Sequence, residues 1–258
     1  MSIFKAIILS IVQGLTEFLP VSSSGHLVLL QKIFGIEQNM LLFDIILHLG
    51  TLFAVIIVYR KSILEIIKNP LGKKMKFLVV GTIPTVIIAL LFKDFFENAF
   101  SGNLLFVGFL VTAIFLLIAS YIDTKNANNK EMSFAKISTM GVFQGLALLP
   151  GISRSGSTVT SALILGVKKD EALEYSFLLS IPIIIASLLY EIIFSNQVIT
   201  QISAWPMILG FVFSAIFGIL SIKFMIKLVK SNSYKYFAIY LFALSVFLAL
   251  NQFVFHLF

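Results

Sequence analysis

Long apolar runs alternate with short polar segments along most of this chain. A helix rises about 1.5 Å per residue, so about 20 apolar residues are needed to cross the ~30 Å hydrocarbon core of a bilayer. Six runs approach or reach that length, at residues 41–59, 76–93, 102–122, 173–194, 206–226 and 236–254. Each run predicts a transmembrane helix, and the whole pattern predicts an all-α polytopic membrane protein.

Two polar interruptions of this pattern are related to each other in sequence. QGLTEFLPVSSSGH at residues 13–26 aligns without gaps with QGLALLPGISRSGS at residues 144–157, so that Gln13 corresponds to Gln144. Paired interruptions at corresponding positions of two halves indicate a site near the middle of the membrane. The chain is therefore interpreted as a duplication inside one integral membrane domain of residues 1–258, with repeats at about 1–122 and 133–256.

The apolar arms beside the second motif are too short to cross a bilayer. The arms at residues 138–149 and 158–167 would reach only about 15–18 Å as helices. We therefore expect each motif region to form a re-entrant helical hairpin that enters and leaves on one side. Each repeat then contains a hairpin and three transmembrane helices, an odd number, so two inverted-topology repeats are predicted. Their hairpin tips are expected to meet near the bilayer midplane.

The distribution of positive charge agrees with the hairpins. They leave three cations on one side, Lys5, Lys32 and Lys93, and 15 on the other: Arg60, Lys61, Lys68, Lys73, Lys74, Lys76, Lys125, Lys130, Lys136, Lys168, Lys169, Lys223, Lys227, Lys230 and Lys235. If both motif regions crossed the membrane, the split would be 8 to 10. Because cytoplasmic loops are rich in Lys and Arg, the asymmetry places both termini outside the cytoplasm.

Composition agrees with a membrane protein and narrows the chemistry. Hydrophobic residues make up 59% of the chain, charged residues 12%, and the mean hydropathy is +1.04. The net charge of +7 lies in short loops, where topology explains it, and we expect no nucleic-acid partner. The chain contains no cysteine, which excludes disulfides and thiolate metal sites.

The two motif copies carry groups that suit a phosphate. They are Ser22, Ser23 and Ser24 in the first copy and Ser153, Arg154, Ser155 and Thr158 in the second. A guanidinium can hold phosphoryl oxygens with two parallel hydrogen bonds, and N–H groups at the starts of the following helices would add donors. Alternatively, Ser and Gly only allow membrane helices to pack closely. The residues by themselves leave both interpretations open.

Arg154 and Glu17 are charges inside apolar sequence. A guanidinium there costs at least about 2.5–3.5 kcal/mol on insertion scales, so it needs an anion or water. One interpretation is a structural ion pair between Arg154 and Glu17. In another, Gln13 and Glu17, which share a helical face at i and i+4, offer oxygen ligands to a hard divalent cation.

Three further polar residues lie near the first motif. His26 is either a packing histidine or a general acid or base beside the serines. Asp44 and His48 are spaced at i and i+4 on the first predicted span. They form either a second shell around the site or simply a polar helix face.

These residues make the chain resemble a known family, the undecaprenyl-diphosphate phosphatases, also called bacitracin-resistance proteins. The family's first motif, a Glu or Gln with a following Glu, is similar to Gln13 and Glu17. Its PGxSRSxxT motif is similar to residues 150–158, and its motif-linked histidine to His26. The similarity extends along the whole chain. One departure is Gln13, because many members carry Glu there and the substitution removes one charge from the expected metal site.

The resemblance implies hydrolysis of undecaprenyl diphosphate to undecaprenyl phosphate at the extracytoplasmic side of the bacterial cell membrane. This regenerates the lipid carrier of cell-wall precursors and confers bacitracin resistance. It also implies a divalent cation, Mg²⁺ or Ca²⁺, and contacts with membrane lipids, and leaves a homodimer open. Ser23 is implied as the nucleophile, with water as the alternative, His26 and Glu17 in acid, base or metal roles, and Arg154 in phosphate binding.

Two other functions were weighed against this one. A prenyl-phosphate transporter or flippase would share the repeats, the broken helices and the phosphate site, and is the alternative. Membrane phosphatases of the acid-phosphatase-like superfamily need a histidine downstream of Ser-Arg. After Ser153 and Arg154 no histidine occurs before His256, which excludes that assignment.

The charge asymmetry predicts the result of a cysteine-labelling experiment. Because the chain is free of cysteine, single cysteines can be introduced near residues 70, 98, 198 and 230. Positions 70 and 230 should be protected from a membrane-impermeant thiol reagent added to intact cells, and positions 98 and 198 should react. Equal labelling at all four positions would contradict the re-entrant topology.

Overall fold

The computed structural model describes residues 2–36, 40–100, 102–122, 130–194, 204–231 and 233–257. Within these ranges the chain forms α-helices, a π-helical turn at Asn251–Phe255 and one isolated β-bridge between Lys130 and Val167, with no β-strand. The α-helices are α1 Ile3–Phe18, α2 Ser23–Ile33, α3 Leu41–Val58, α4 Arg60–Lys68, α5 Lys73–Leu91, α6 Lys93–Ala99, α7 Leu105–Ile122, α8 Phe134–Leu146, α9 Arg154–Ile164, α10 Lys169–Phe194, α11 Ala204–Ser231 and α12 Tyr234–Leu250.

Four helical segments are long and apolar enough to cross a membrane. They are Lys73–Leu91, Lys169–Tyr190, Ala204–Ser231 and Tyr234–Phe255. A fifth is obtained if α3 and α4, which meet at an angle of 80°, are counted as one broken span. These helices confirm the predicted all-α polytopic membrane protein.

Two of the six predicted spans differ in detail from the expectation. The predicted run 41–59 forms α3, but the chain then turns sharply at Tyr59 into the amphipathic helix α4. The predicted run 102–122 forms α7, whose apolar stretch Leu105–Tyr121 is shorter than the other spans. The described residues therefore contain four or five spanning helices, and the sixth predicted span, at α7, stays a prediction.

Polar residues lie inside the helix bundle and large apolar residues cover its outside. Ser10, Gln13 and Thr51 are fully buried, whereas Leu90 and Leu91 are 72% and 73% exposed. An aqueous protein would hide the leucines, but in a bilayer they face acyl chains at no cost. The outside of the bundle is therefore a lipid-facing surface.

The two motif regions pack against the bundle in a reciprocal way. Helix α1, which precedes the first motif, packs mainly against α11, and α8, which precedes the second, packs mainly against α5. Glycines allow the close approach: a Cβ atom on Gly14 would lie 2.7 Å from the carbonyl oxygen of Ser214, and one on Gly141 would lie 2.0 Å from that of Gly81. A helix from each half of the chain thus packs against the motif region of the other half.

Candidate active site

Both motif copies break a helix and restart it with the same serine cap. The break between α1 and α2 ends at Ser22, whose Oγ accepts a hydrogen bond of 3.3 Å from the backbone N–H of Gly25. The break between α8 and α9 ends at Ser153, whose Oγ accepts one of 3.1 Å from Gly156. A serine cap satisfies one of the N–H groups left free at a helix start. The aligned sequences therefore fold into the same local motif.

The two breaks touch each other inside the bundle. Ser155 Oγ donates a hydrogen bond of 2.9 Å to the backbone carbonyl of Leu19, which belongs to the other copy. A Cβ atom on Gly25 would lie 3.0 Å from the backbone of Gly151, which itself has φ of +91°. Only glycine allows both this close approach and this left-handed conformation without strain. The predicted meeting of the two motif regions is thus present in the fold.

Glu17 is the centre of the contacts between the copies. Its carboxylate is buried and accepts a hydrogen bond of 3.0 Å from Gln13 Nε2. Ser23 Oγ donates to the same carboxylate oxygen, Oε2. The guanidinium of Arg154, from the second copy, forms an ion pair with the other oxygen, Oε1. One carboxylate therefore connects the candidate nucleophile to the candidate phosphate-binding cation.

The structure contains the ion pair between Arg154 and Glu17 that was one of the alternatives for Arg154. Its side chain is 18% exposed and that of Glu17 is 3% exposed, so both charges are largely removed from solvent. In a medium of low dielectric constant each charge stabilises the other, and an unpaired one would be costly. Arg154 pairs with Glu17 in this structure, and it also lines an open cavity in which an anion could compete for it.

That cavity, of about 520 Å³, collects most of the predicted site residues. Its polar lining includes Glu17, Ser22, Ser23, Ser24, Ser153, Arg154, Asp44 and His48. Apolar residues such as Leu27, Ile184 and Leu188 complete the wall. A hydroxyl, a carboxylate and a guanidinium beside an apolar wall can accept a molecule with an anionic head and a greasy tail.

Ser155 and Thr158 stand slightly apart from this cavity. Their hydroxyls bond within the protein: Ser155 to Leu19, and Thr158 to the carbonyl of Arg154 at 2.9 Å and to Ser176 Oγ at 2.6 Å. In these positions they fix the turn that carries Arg154. A direct phosphate contact by either hydroxyl stays a prediction.

His26 lies behind the cavity wall, with both ring nitrogens occupied. Nδ1 is 2.7 Å from the backbone carbonyl of Ser22, and Nε2 is 2.7 Å from the hydroxyl of Tyr240. Ser23 donates to Glu17 instead of His26. Glu17, and not the histidine, therefore accepts the hydrogen bond of the serine hydroxyl.

Asp44 and His48 lie on the cavity wall, as a second shell would. Gln31 Nε2 donates hydrogen bonds of 3.3 Å to both carboxylate oxygens of Asp44. His48 Nδ1 lies 2.8 Å from the Asp44 backbone carbonyl. Their role in the reaction stays a prediction.

Few oxygen ligands for a cation lie near Glu17 in the described part of the chain. Gln13 is fully buried, and its Oε1 atom has no hydrogen-bond partner. Mg²⁺ typically uses one or two protein carboxylates together with waters and substrate phosphates. In the described part of the chain no group of three or more His, Asp or Glu side chains forms a metal cage. Glu17 and Gln13 would therefore supply the protein oxygens.

Sequence comparison identifies the family to which this arrangement belongs. Residues 6–247 match the family model described as Bacitracin resistance protein BacA. The chain belongs to the BacA family. An undecaprenyl-diphosphatase of Carboxydothermus hydrogenoformans is 44% identical over 250 residues, covering 95% of this chain and 96% of the relative. An undecaprenyl-diphosphatase 4 of Bacillus thuringiensis subsp. konkukian is 41% identical over 258 residues, covering 98% of each chain.

In this BacA family member, sequence patterns missed three residues around the site. Gln144 lines the cavity and is the repeat counterpart of Gln13, so the internal alignment could have indicated it. Gln31 holds Asp44, and Tyr240 holds His26. Tyr240 comes from α12, which meets the motifs only after folding, whereas Gln31 lies on α2, five residues after His26. No motif spacing points to either residue.

The central ion pair of the BacA fold predicts a specific stability pattern. Glu17→Gln or Arg154→Gln alone leaves a buried charge without its partner and should lower the free energy of unfolding by about 3–5 kcal/mol. The double variant should lose clearly less than the sum of the two, which thermal unfolding in detergent can measure. Strictly additive losses would contradict the pairing.

Proposed function

We propose that this protein hydrolyses undecaprenyl diphosphate to undecaprenyl phosphate and inorganic phosphate. The reaction would recycle the lipid carrier of the cell wall and confer resistance to bacitracin. The supporting observation is the contact of Ser23 and Arg154 with opposite oxygens of Glu17 at the wall of one cavity. The relatives named undecaprenyl-diphosphatase, which align over nearly the whole chain, support the same activity.

The proposed first step is a transfer of the terminal phosphoryl group to Ser23. Its Oγ attacks the terminal phosphorus and its proton passes to Glu17 Oε2, which already accepts that hydrogen bond. The bond between the phosphorus and the bridging oxygen breaks, and undecaprenyl phosphate leaves with that oxygen. Water then hydrolyses the phosphoserine and releases inorganic phosphate. Direct attack by water on the diphosphate is the alternative route.

The ion pair couples proton transfer to phosphate binding. In the substrate-free arrangement the carboxylate of Glu17 holds the guanidinium of Arg154. When Glu17 accepts the serine proton it loses its charge, and its attraction for Arg154 falls. The guanidinium is then available to the phosphoryl oxygens as the phosphoryl group is transferred. Positioning and electrostatic stabilisation of the transferred group are the main sources of catalysis in phosphoryl transfer.

A divalent cation, Mg²⁺ or Ca²⁺, is part of the proposal. Glu17 and Gln13 would hold it, and the buried, unpartnered Oε1 atom of Gln13 supports this assignment. When bound, the cation would offset negative charge on the diphosphate. Residues Ser22, Ser24 and Ser153 would add hydroxyl donors to the phosphate from the cavity wall.

The proposed substrate reaches the site from the membrane. The prenyl chain would remain among lipid-facing helices, next to the apolar wall of the cavity formed by residues such as Val28, Ile183 and Leu188. We also propose that the chain is one domain of two inverted repeats in the bacterial cell membrane, with both termini and the site on the extracytoplasmic side. The matching serine caps and the reciprocal packing of α1 on α11 and α8 on α5 support the repeats.

A phosphate-release assay on the purified protein tests this function. With undecaprenyl diphosphate as substrate, the protein should release phosphate, and a chelator should abolish the release. Ser23→Ala should lower turnover by at least about three orders of magnitude, because it removes the nucleophile. Ser187→Ala, which alters another serine of the cavity wall, is the control and should stay active. Binding of the lipid without phosphate release would favour the transporter instead.

A conservative substitution tests the role of Arg154. Arg154→Lys keeps the charge but cannot reproduce the planar fork of two hydrogen bonds to a phosphoryl group, so turnover should fall by about 100-fold. Arg60→Lys is the control, since Arg60 is the other arginine of the chain and is exposed at the start of α4. Near-normal turnover in a correctly folded Arg154→Lys protein would show that Arg154 only supports the structure.

A further inference from the structure

His26 is held by hydrogen bonds at both ring nitrogens and by two aromatic neighbours. Its two nitrogens lie 2.7 Å from the Ser22 carbonyl oxygen and 2.7 Å from the Tyr240 hydroxyl. The ring also stacks on Tyr240, with centroids 5.8 Å apart and an angle of 20° between the planes. The ring of Phe109 lies at 75° to the imidazole, with centroids 5.2 Å apart. Such a side chain has little freedom to move toward the cavity.

The hydrogen-bond partners determine which nitrogen of His26 carries the proton. A carbonyl oxygen can only accept, so Nδ1 carries the hydrogen and donates it to Ser22. In the neutral ring Nε2 is then an acceptor, and the Tyr240 hydroxyl donates to it. The Ser22 carbonyl therefore fixes the tautomer of His26, and the Tyr240 hydroxyl supplies a hydrogen bond to the nitrogen that this tautomer leaves as an acceptor.

The Ser22 carbonyl belongs to a strained turn directly before Ser23. Ser22 has φ of +68°, which is one of two positive φ values among the non-glycine residues that the structure describes. Its carbonyl accepts from the backbone N–H of His26 at 3.2 Å as well as from the ring. A residue other than glycine keeps such a conformation only when its surroundings hold it there.

The second motif copy serves as an internal comparison. Ser153 corresponds to Ser22 and caps its helix in the same way, but its φ is −74°, an ordinary value. Ser157 stands where His26 stands in the first copy. The strained turn and the histidine therefore occur together, in the copy that carries the proposed nucleophile.

We propose that Tyr240 is a positioning residue for the reaction: through His26 it holds the turn at Ser22 in the conformation that directs the Ser23 hydroxyl toward Glu17. This inference rests on the proposed phosphatase function. Tyr240 comes from α12, far from both motifs in the sequence, and its hydroxyl reaches the site only through the imidazole. His26 is then a structural link in the site and leaves the serine proton to Glu17.

The variant Tyr240→Phe tests this role, because it keeps the stacked ring and removes only the hydroxyl. We expect kcat for phosphate release from undecaprenyl diphosphate to fall by about tenfold, the effect of losing one hydrogen bond in the transition state. KM and the thermal unfolding midpoint should not change, since neither the cavity wall nor the packing is altered. Tyr236→Phe makes the same chemical change on an exposed part of α12 and should leave all three values unchanged.

A second variant separates positioning from proton transfer. His26→Asn retains a side-chain N–H that can reach the Ser22 carbonyl at i−4, but it cannot reach Tyr240. We expect its kcat to fall to about the level of Tyr240→Phe, and adding Tyr240→Phe should cause no further loss, because both act on one link. His26→Ala should be less active than His26→Asn.

Three results would overturn the inference. The first is an unchanged kcat in Tyr240→Phe. The second is a loss of kcat in that variant that is matched by a lower unfolding midpoint. The third is a stably folded His26→Asn protein that is as inactive as His26→Ala. The last result would return proton transfer to the histidine. If the unaltered protein released no phosphate, the proposed function would fail and this inference with it. An active wild-type protein with an unaffected Tyr240→Phe variant would refute the inference alone.

Discussion

The site depends on one buried carboxylate that is shared between two polar partners. Glu17 lies where the two helix breaks meet, and it can stay charged there because Arg154 and Ser23 approach it from different sides. In the low-dielectric interior of a membrane protein neither charge of this pair is tolerable alone. The pairing of these two charges therefore also brings the helix breaks of the two halves of the chain into contact.

The divergence of the two motif copies gives the site its chemistry. The copies retain what builds the turn, namely the serine caps Ser22 and Ser153 and the glycines three residues later. They differ where reactive groups are needed: the alignment places Ser23 opposite Arg154. One copy thus supplies a carboxylate and a hydroxyl, and the other supplies a guanidinium. Two identical copies would have placed like groups face to face.

Broken helices are possible inside the bundle because other helices surround them. Backbone groups released by the breaks are bonded within the protein, as in the contact from Ser155 Oγ to the Leu19 carbonyl and that from the Ser153 N–H to Thr112 Oγ1 at 2.9 Å. In lipid, such groups without partners would be costly. Ser153, one of the residues that complete the breaks, also lines the cavity beside Arg154.

The sequence by itself determined the class of protein and the location of its chemistry. Apolar runs of spanning length predict membrane helices because the bilayer fixes the required length. The internal alignment finds both motifs because each begins its second helix with a serine cap and a glycine three residues later. The sequence also singled out Glu17, Ser23 and Arg154, because a polar or charged group inside apolar sequence costs free energy unless it has a partner. Only the tertiary structure decided their partners. The assignment of Ser23 to Glu17, and of His26 to Tyr240, depends on how α1, α2 and α12 pack, and helix packing is set by side-chain contacts over the whole bundle that no local pattern records.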